Sequence, residues 1–318
     1  MKAVVCTAYG SPEVLQLAAL AKPSPKDNEI LIKIHATAVT IADCRLRKAD
    51  PFAVRFFFGF FKPRRPVLGG VLSGEVEAIG KNVRQFKVGD LVFGSSFPIL
   101  SAYAEYICLP ETGNLAIKPE SMNHDEAAAL LFGSMTALHF LRKVDIRPGQ
   151  KVLIYGASGA VGSAAVQIAK YFGAEVTGVC STTNLEMVKS LGADHVIDYT
   201  KTDFSKNGPQ YEVIFETVNK TPYASCVAAL KSGGTLILGA GLLGAMLRGV
   251  WTSLTSNKKV ITGMATETAE IVRFLKKMAE EGKIKGVIDR KYPIEQIAEA
   301  HAYVDKGHKK GNVIVGLI

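Results

Sequence analysis

The chain has 318 residues, which suggests about two domains, and 48% of them are apolar while 21% are charged. This balance excludes general disorder and predicts a sizeable packed core. The net charge of +9 is spread along the chain in short clusters. We therefore interpret it as solvated surface, and no nucleic-acid partner is expected.

The sequence contains no recognisable secretory signal, and its uncharged runs are too short or too glycine-rich for a transmembrane segment. The five cysteines include no close pair, which excludes a Cys-x-x-Cys metal or redox motif. Free thiols are typical of reducing compartments, so we expect a cytoplasmic protein.

The first third of the chain has the short apolar and alternating runs of β-strands, bounded by Gly, Pro and Asp. The predicted strands lie in KAVVCTAYG, EILIKIHATAVT, SGEVEAIG, DLVFGS and AYAEYICL. Near residue 123 the period becomes helical, and Asn123 with Glu126 resembles a capping box. A helix is predicted from this point, followed by a turn at 147–150.

From Lys151 onward, apolar strands alternate with amphipathic helices. This alternation predicts βαβ units and a parallel sheet, hence an α/β fold. The predicted strands are KVLIYGAS, EVTGVCS, HVIDY, YEVIFETV and GTLILGAG. The tail adds two helices and a last strand, GNVIVGLI.

The segment KVLIYGASGAVGSAAVQIAKYFG places Gly156, Gly159 and Gly162 between a predicted strand and a predicted helix. Gly159 would let the backbone approach a pyrophosphate, and Gly162 would let the helix pack closely on the strand. The helix N-terminus offers N–H groups and a positive dipole end to the anion. Ala157 replaces one glycine of the usual fingerprint. A tight βα turn alone can produce such a pattern, but the strand–turn–helix–strand context favours dinucleotide binding.

The loop after the second strand of this unit decides between the two nicotinamide dinucleotides. An NAD site usually carries an acid there, which binds the ribose 2′-hydroxyl. This chain has Ser181, Thr183 and Asn184 instead, with no acid, so we predict NADP(H). The loop also lacks the expected cation, and Tyr199 with Lys201 could complete the pocket. Tyr199 could equally be an ordinary aromatic residue at a strand end.

The motifs GASGAVGSAAVQIAKYFGAEV and SLGADHVIDY resemble the medium-chain dehydrogenase/reductase superfamily, and more narrowly its zinc-free quinone oxidoreductase branch. The resemblance covers nearly the whole chain. It implies a GroES-like β-rich catalytic domain at 1–122 and 264–318, and a Rossmann doubly wound parallel-sheet domain for NADP(H) at 123–263. It also implies that the cofactor lies in the cleft between them.

The resemblance further implies that no metal is bound. The zinc ligands of related alcohol dehydrogenases match Thr40, Gly70 or Val71, and Phe132, none of which binds zinc well. Cys44 has no His or Cys nearby in the sequence. Without a Lewis acid a plain alcohol is hard to oxidise, whereas an electron-poor acceptor accepts hydride more readily.

By motif position, the resemblance assigns Thr40, Asp43 and Thr136 to catalysis near the nicotinamide. Each has a structural alternative: a hydroxyl satisfied within the fold for the threonines, and a helix cap for Asp43. The residues expected to bind the cofactor are Gly156, Ala157, Ser158, Gly159, Ala160, Val161, Ser181, Thr183, Asn184, Tyr199, Ala240, Gly241 and Leu242.

The resulting function is zinc-independent, NADPH-dependent hydride transfer to a quinone or an α,β-unsaturated carbonyl. The expected partners are a small apolar electron-poor substrate and a second copy of the chain in a homodimer. One alternative is an NADP(H)-binding protein with little catalysis, as in crystallin-like or RNA-binding relatives. Another is a reductase of lipid-like quinones at a membrane surface.

The stretch FAVRFFFGFF, residues 52–61, holds six phenylalanines. If helical, it would present one broad apolar face, which usually indicates core packing. Because it lies between the two regions that would supply zinc ligands, we interpret it as a hydrophobic wall of the substrate site, with Phe56 and Phe60 binding substrate. Peripheral membrane contact through Lys62, Arg64 and Arg65 is the alternative.

Overall fold

The computed structural model describes residues 1–207, 210–239 and 243–317, without the side chains of 207 and 243–247. The chain divides into two compact units. Unit 1 comprises Met1–Phe132 and Glu267–Ile318, and unit 2 comprises Gly133–Thr266. The predicted nicotinamide neighbours Ala240, Gly241 and Leu242 lie outside the described residues.

Unit 1 is built mainly from antiparallel strands, as the alternating runs predict. Its strands are β1 (Lys2–Cys6), β2 (Leu15–Ala19), β3 (Glu29–Val39), β4 (Val71–Ile79), β5 (Leu91–Ser95), β6 (Tyr106–Pro110) and β7 (Asn114–Ile117), with β14 (Ile288–Pro293) and β15 (Asn312–Gly316) from the tail. Within the described ranges the main sheet runs β14-β15-β3-β4-β5-β7, with β6 paired to β3. The tail therefore completes the sheet begun by the first third of the chain.

Several helices also belong to unit 1. They are α1 (Ile41–Lys48), α2 (Val54–Phe58), the first half of α3 (His124–Leu141), α8 (Ala269–Glu280) and α9 (Ile297–Asp305). The Asn123–Glu126 capping box is confirmed, because each backbone N–H donates to the other side chain at 2.9 Å. A joint apolar core holds Ile32, Leu68, Leu72 and Val313, all fully buried.

Unit 2 is the predicted parallel α/β unit. Its elements are the second half of α3, β8 (Lys151–Tyr155), α4 (Ala160–Tyr171), β9 (Glu175–Cys180), α5 (Leu185–Ser190), β10 (His195–Asp198), β11 (Tyr211–Glu216), α6 (Tyr223–Ala229), β12 (Leu230–Leu238), α7 (Leu243–Thr255) and β13 (Lys259–Ile261). Among the residues described here, the strands form one parallel sheet in the order β10-β9-β8-β11-β12-β13. This is the Rossmann order 3-2-1-4-5-6, and the predicted fold class is confirmed.

The phenylalanine-rich stretch differs from its sequence interpretation. Only Val54–Phe58 is helical, and the segment ends at Gly59, whose φ of 127° suits glycine. Phe58 packs against the core of unit 1. The other five, Phe52, Phe56, Phe57, Phe60 and Phe61, are exposed, and we call them the Phe patch. The core-packing alternative therefore does not hold for these five rings, which are exposed within unit 1.

A search of the described part of the chain finds no helix both long and apolar enough to cross a membrane.

Candidate functional site

Thr40 and Asp43 meet at the start of α1, where they form a capping box. The Thr40 hydroxyl donates to Asp43 Oδ2 at 2.6 Å, and the Thr40 N–H donates to the same oxygen at 3.0 Å. In return, the Asp43 N–H donates to Thr40 Oγ1 at 3.2 Å. Thr40 therefore has its hydroxyl satisfied within the fold, and Asp43 caps the helix, as the structural alternatives for these residues stated. These structural roles are compatible with a catalytic role, since hydrogen bonds hold both side chains in place.

The Asp43 carboxylate is also held from the far side. It accepts from the Gly69 N–H at 3.2 Å and from the Tyr103 hydroxyl. Burial raises the pKa of this carboxyl, and the hydrogen bonds from Thr40 and Gly69 act in the opposite direction. Four donors are close to what one carboxylate can accept, so these contacts favour its charged form.

Behind Tyr103 lies a buried polar network that sequence reasoning missed. His301 Nε2 is 3.2 Å from the Tyr103 hydroxyl, and its Nδ1 accepts from Arg47 Nε at 3.3 Å. Arg47 is fully buried and pairs with Asp305 at 2.5 Å. Arg47, His301, Tyr103 and Asp43 therefore form one continuous chain of hydrogen bonds that leads to Thr40.

A cavity of about 40 Å³ lies next to Thr40 and Asp43 in unit 1. Its apolar lining comes from Val71, Phe97, Leu100 and Phe132, among others. A single water needs roughly 10–15 Å³, so this space suits the polar end of a substrate rather than a whole quinone ring. Thr40, Gly70, Val71 and Phe132, which the resemblance matches to zinc ligands, all line it.

Glu267 also lines this cavity, and no sequence motif had indicated it. It directly precedes Thr268, the N-cap of α8. Its carboxyl lies in hydrogen-bonding contact with the hydroxyl of Ser95, at the end of β5. Burial raises the pKa of Glu267, the Ser95 hydrogen bond lowers it, and the negative Asp43 raises it again. A weak signal was present, since Glu267 stands at the return of the chain to unit 1.

In unit 2 the glycine turn has the predicted form. Gly156 has φ of 79°, and a Cβ at Gly162 would lie 2.0 Å from Gly156 O. A Cβ at Gly159 would instead meet its nearest protein atom, Gly156 O, at 3.5 Å. Gly162 is thus required by helix–strand packing. Gly159 is not required by the fold itself, and its missing side chain leaves room for a ligand to approach the turn closely.

The N-terminus of α4 offers the donors that a pyrophosphate needs. Gly159 is its N-cap and has no side chain to accept a hydrogen bond, so the first N–H groups, at Ala160 and Val161, are free of a side-chain cap. The N–H groups of Gly156 and Ala157 both donate to Val179 O at 3.0 Å, which locks the turn onto the end of β9. The residues present therefore fit a dinucleotide phosphate.

The structure joins this turn to the loop after β9. Asn184 Nδ2 donates to Ser181 Oγ at 3.0 Å and to Ser158 Oγ at 3.3 Å. Asn184 is buried, and its Oδ1 has no partner among the residues described. One polar atom of the amide is thus available to a ligand, whichever way the amide is rotated. Thr183 and Tyr199 are exposed near this loop, and the Tyr199 ring lies 6.3 Å from the Tyr155 ring.

An acid does stand beside this loop, on the neighbouring strand rather than in the loop. Asp198 ends β10 opposite Cys180, and its carboxylate accepts from the Thr182 hydroxyl and, at 2.7 Å, from the Thr200 hydroxyl. These hydrogen bonds lower its pKa. Lys201 Nζ lies 3.8 Å from it. The Asp198 carboxylate is therefore engaged within the protein, with a lysine beside it.

The remaining predicted residues are placed as follows. Thr136 lies on α3, three residues after Gly133. A Cβ added at Gly133 would lie 2.1 Å from Ala160 O, so α3 packs tightly on the start of α4. This places Thr136 one helical turn from the phosphate-binding end. Phe56 and Phe60 do not line the cavity beside Thr40.

Comparisons with known proteins agree with this architecture. Residues 26–120 match the "Alcohol dehydrogenase GroES-like domain" and residues 191–315 match "Zinc-binding dehydrogenase". A 2-methylene-furan-3-one reductase from Solanum lycopersicum is 34% identical, over 99% of this chain and 79% of the relative. A chloroplastic NADPH-dependent alkenal/one oxidoreductase from Arabidopsis thaliana is 31% identical over the same shares. The quinone oxidoreductase structure from Coxiella burnetii has a TM-score of 0.89 at 27% identity, covering 100% of this chain and 99% of that one.

Together, a GroES-like β-rich unit and a Rossmann unit define a nicotinamide-dependent oxidoreductase. The chain belongs to the quinone oxidoreductase-like branch of the medium-chain dehydrogenase/reductase superfamily.

The described residues include no group of three or more His, Cys, Asp or Glu that could hold a metal ion.

Proposed function

We propose that this protein is a zinc-independent, NADPH-dependent reductase that transfers hydride to a quinone or an α,β-unsaturated carbonyl. The observation that carries the proposal is the cavity beside Thr40. It is lined by the residues that stand in place of zinc ligands, yet these are a hydroxyl, a glycine and two apolar side chains. Such a lining suits an acceptor that needs hydrogen bonds rather than a Lewis acid.

The role of the protein in this reaction is to position the substrate and to polarise its carbonyl group. When bound, the reduced nicotinamide supplies the hydride. The hydrogen bonds between Thr40 and Asp43 fix both side chains, so this wall of the cavity is set before the substrate arrives. Val71, Phe97, Leu100 and Phe132 keep water away from the polar end of the substrate, which strengthens every hydrogen bond made there.

The preference for NADPH is supported by the loop 181–184 and by Lys201. Ser181, Thr182, Thr183 and Asn184 bring no free carboxylate, and Asp198 is engaged by hydroxyl groups. An extra phosphate therefore meets hydroxyl, amide and ammonium groups. One relative is named as NADPH-dependent. Lys201→Ala should weaken NADPH binding and leave NADH binding unchanged, with Lys206→Ala as the control.

The direct test is oxidation of NADPH by the purified protein with 1,2-naphthoquinone, an alkenal and an alkenone, with NADH in parallel. We expect turnover that a chelator does not reduce. Loss of activity on chelation would disprove zinc independence. A folded protein that binds NADPH but reduces none of a broad panel would disprove the reductase, and a strongly salt-dependent affinity for RNA would then favour a binding protein.

A second candidate, reduction of lipid-like quinones at a membrane surface, is favoured by the Phe patch. Phe57 and Phe61 are 88% and 86% exposed. The rings of Phe52, Phe56 and Phe60 lie 6.1–6.2 Å apart, so they present one continuous apolar surface. The exposed Lys62, Arg64 and Arg65 follow at once. Aromatic side chains beside basic ones match an anionic membrane interface.

The segment is also held firmly enough to present these rings. The Tyr9 hydroxyl donates to Gly59 O at 2.5 Å, and Arg55 stacks on the Tyr9 ring at 4.7 Å. Fully burying one phenylalanine is worth about 1.5–3 kcal/mol. Two such rings inserted in lipid should strengthen binding by roughly 10²- to 10³-fold, allowing for incomplete burial.

Flotation with vesicles containing phosphatidylserine tests this candidate. The wild type should float at low salt, and Phe57→Ser with Phe61→Ser should abolish it. Leu17→Ser with Val88→Ser, which removes exposed apolar side chains elsewhere in unit 1, should not. Absence of flotation at low salt would disprove membrane contact. If Phe56→Ala or Phe60→Ala then raises KM for bulky quinones more than for small ones, the patch belongs to the substrate site instead.

The homodimer remains a proposal, supported by an apolar strip on α7. Val250, Trp251 and Leu254 are exposed there, beside the edge strand β13. Sedimentation of the wild type should give twice the chain mass, and Leu254→Glu should give a monomer. A monomeric wild type would disprove it. Cytoplasmic location likewise stays a prediction, which imaging of the tagged protein can check.

A further inference from the structure

We propose that Glu267 is the proton donor of the reaction: its carboxylic acid delivers the proton that completes reduction of the acceptor. The proposal rests on the reductase function above and extends it. The geometry that carries it is the cavity beside Thr40, which Glu267 lines together with Asp43, while Ser95 contacts Glu267.

The hydroxyl of Ser95 is the hydrogen-bond partner of Glu267. Ser95 Oγ lies 3.0 Å from Gly70 O and within hydrogen-bonding contact of Glu267 Oε2. It also accepts from the Phe97 N–H at 3.1 Å. A serine hydroxyl carries one proton, which has both Gly70 O and Glu267 Oε2 within reach, so the Glu267 carboxyl accepts at most one hydrogen bond from Ser95.

The two carboxyl groups of the cavity differ in their hydrogen bonds. Asp43 accepts from Thr40, Gly69 and Tyr103, so its negative charge is well compensated. Within the described part of the chain, Glu267 has one hydrogen-bond contact, with Ser95, and it faces the negative Asp43 across the cavity. Two neighbouring carboxyls do not both ionise easily, and the one with fewer hydrogen-bond donors keeps the proton more readily. Glu267 is therefore the acid of the pair.

The groups packed around Glu267 agree with this assignment. Asp43, from α1, raises the pKa of Glu267, as does burial, while Ser95, from β5, lowers it. The next residue in the chain, Thr268, is the N-cap of α8, and its hydroxyl accepts from the Ile271 N–H at 3.2 Å. Among the residues described, no cation contributes to the pKa shift of Glu267, so the Ser95 hydrogen bond alone favours its carboxylate.

The step balances without any further reactant. For an alkenone, hydride adds to the β-carbon and the C=C electron pair moves toward the carbonyl, which leaves an enolate. The O–H bond of Glu267 breaks, and its proton goes to the α-carbon or the enolate oxygen. Glu267 is left as a carboxylate and regains a proton from solvent. The sum is alkenone, reduced cofactor and one proton in, and ketone with oxidised cofactor out. In this chain the acid lines the same cavity as the residues that the resemblance matches to zinc ligands.

The test compares wild type, Glu267→Gln and the exposed Glu299→Gln in alkenone reduction over a range of pH. A general acid must be protonated, so the wild-type kcat should fall as pH rises through the pKa of Glu267. Glu267→Gln should lower kcat by about 10²-fold and remove this alkaline limb, while NADPH affinity stays unchanged. Glu299→Gln should match the wild type. Because Ser95 lowers the pKa of Glu267, Ser95→Ala should move the limb to higher pH.

A second readout does not depend on turnover. Infrared spectra of the ligand-free protein at neutral pH should contain a protonated-carboxyl band that Glu267→Gln removes. An active Glu267→Gln with the wild-type pH profile would overturn the proposal and leave the reductase intact. If the wild type reduces nothing, the reductase itself fails. Absence of the infrared band in the wild type would overturn the protonation of Glu267 in either case.

Discussion

The buried His301 should make unit 1 sensitive to acid, and the exchange His301→Gln isolates this effect. Arg47 Nε donates to His301 Nδ1, so the neutral ring carries its proton on Nε2, toward Tyr103. Glutamine also offers one acceptor and one donor in this direction, but it does not titrate. Cys44 Sγ lies 3.4 Å from Nδ1, and because histidine and glutamine are both neutral there, the exchange adds no charge beside this thiol.

The sign and size of the effect follow from the pKa of His301. Burial, then the positive Arg47, lowers it from 6.5 to about 3, while Asp305 acts in the opposite direction. Below pH 6.5 His301 binds a proton in the unfolded chain but stays neutral in the folded chain until about pH 3. The free energy of unfolding that depends on His301 is therefore fully present above pH 6.5 and falls as the pH drops. Between pH 6.5 and about pH 4.5, at ~1.36 kcal/mol per unit, the loss is about 3 kcal/mol.

The assay is urea unfolding followed by circular dichroism near pH 7.5 and near pH 4.5. Fluorescence of Trp251 would report on unit 2, whereas His301 lies in unit 1. The wild type should lose about 3 kcal/mol more than His301→Gln between the two pH values. The pKa values of His35 and His124 are also lowered, but both proteins share these residues, so their effects cancel. Equal losses in the two proteins would refute the reasoning.

Three further predictions concern the two units separately. Gly162→Ala should lower the stability of unit 2 by about 1–3 kcal/mol or more, because the new Cβ would lie 2.0 Å from the backbone of the turn. Gly159→Ala should leave the melting temperature unchanged, because its Cβ has room, but it should weaken NADPH binding at least tenfold by calorimetry. Normal NADPH affinity in the second variant would argue against a phosphate at the turn. Ser181→Asp should weaken NADPH binding and spare NADH, since a carboxylate repels the 2′-phosphate; equal effects on both cofactors would contradict the assigned ribose site. Tyr103→Phe should cost about 1–3 kcal/mol in urea unfolding, because Asp43 loses a buried donor, and an unchanged midpoint would show that this hydrogen bond contributes nothing.

Much of the architecture was predictable because it depends on local patterns. Alternating and continuous apolar runs predicted β3, β4 and β8 to β12. The spacing of the glycines between β8 and α4 predicted the tight turn that joins them. The capping boxes at Thr40–Asp43 and Asn123–Glu126 depend on residues only three apart. Short strands with mixed patterns, such as β2, β7 and β14, were missed, because pairing with neighbours rather than their own periodicity makes them strands.

The Phe patch shows where composition misleads. Six phenylalanines in ten residues indicate burial, yet burial needs a surface to pack against. Pro51, Gly59 and Pro63 limit the helix to five residues, so only Phe58 reaches the core. The sequence contained the breakers, but which ring would turn inward depended on the path of the chain.

The sequence by itself determined the two kinds of unit and the glycine turn, since these are properties of neighbouring residues, and its family resemblance pointed to Thr40 and Asp43. Only the tertiary structure decided which distant groups meet. Ser95 and Glu267 are 172 residues apart, and Arg47 and His301 are 254 apart. Contacts at such separation depend on strand order and register, which no local periodicity encodes. The acid that we assign to the reaction is therefore visible only once the tail of the chain has returned to the sheet of unit 1.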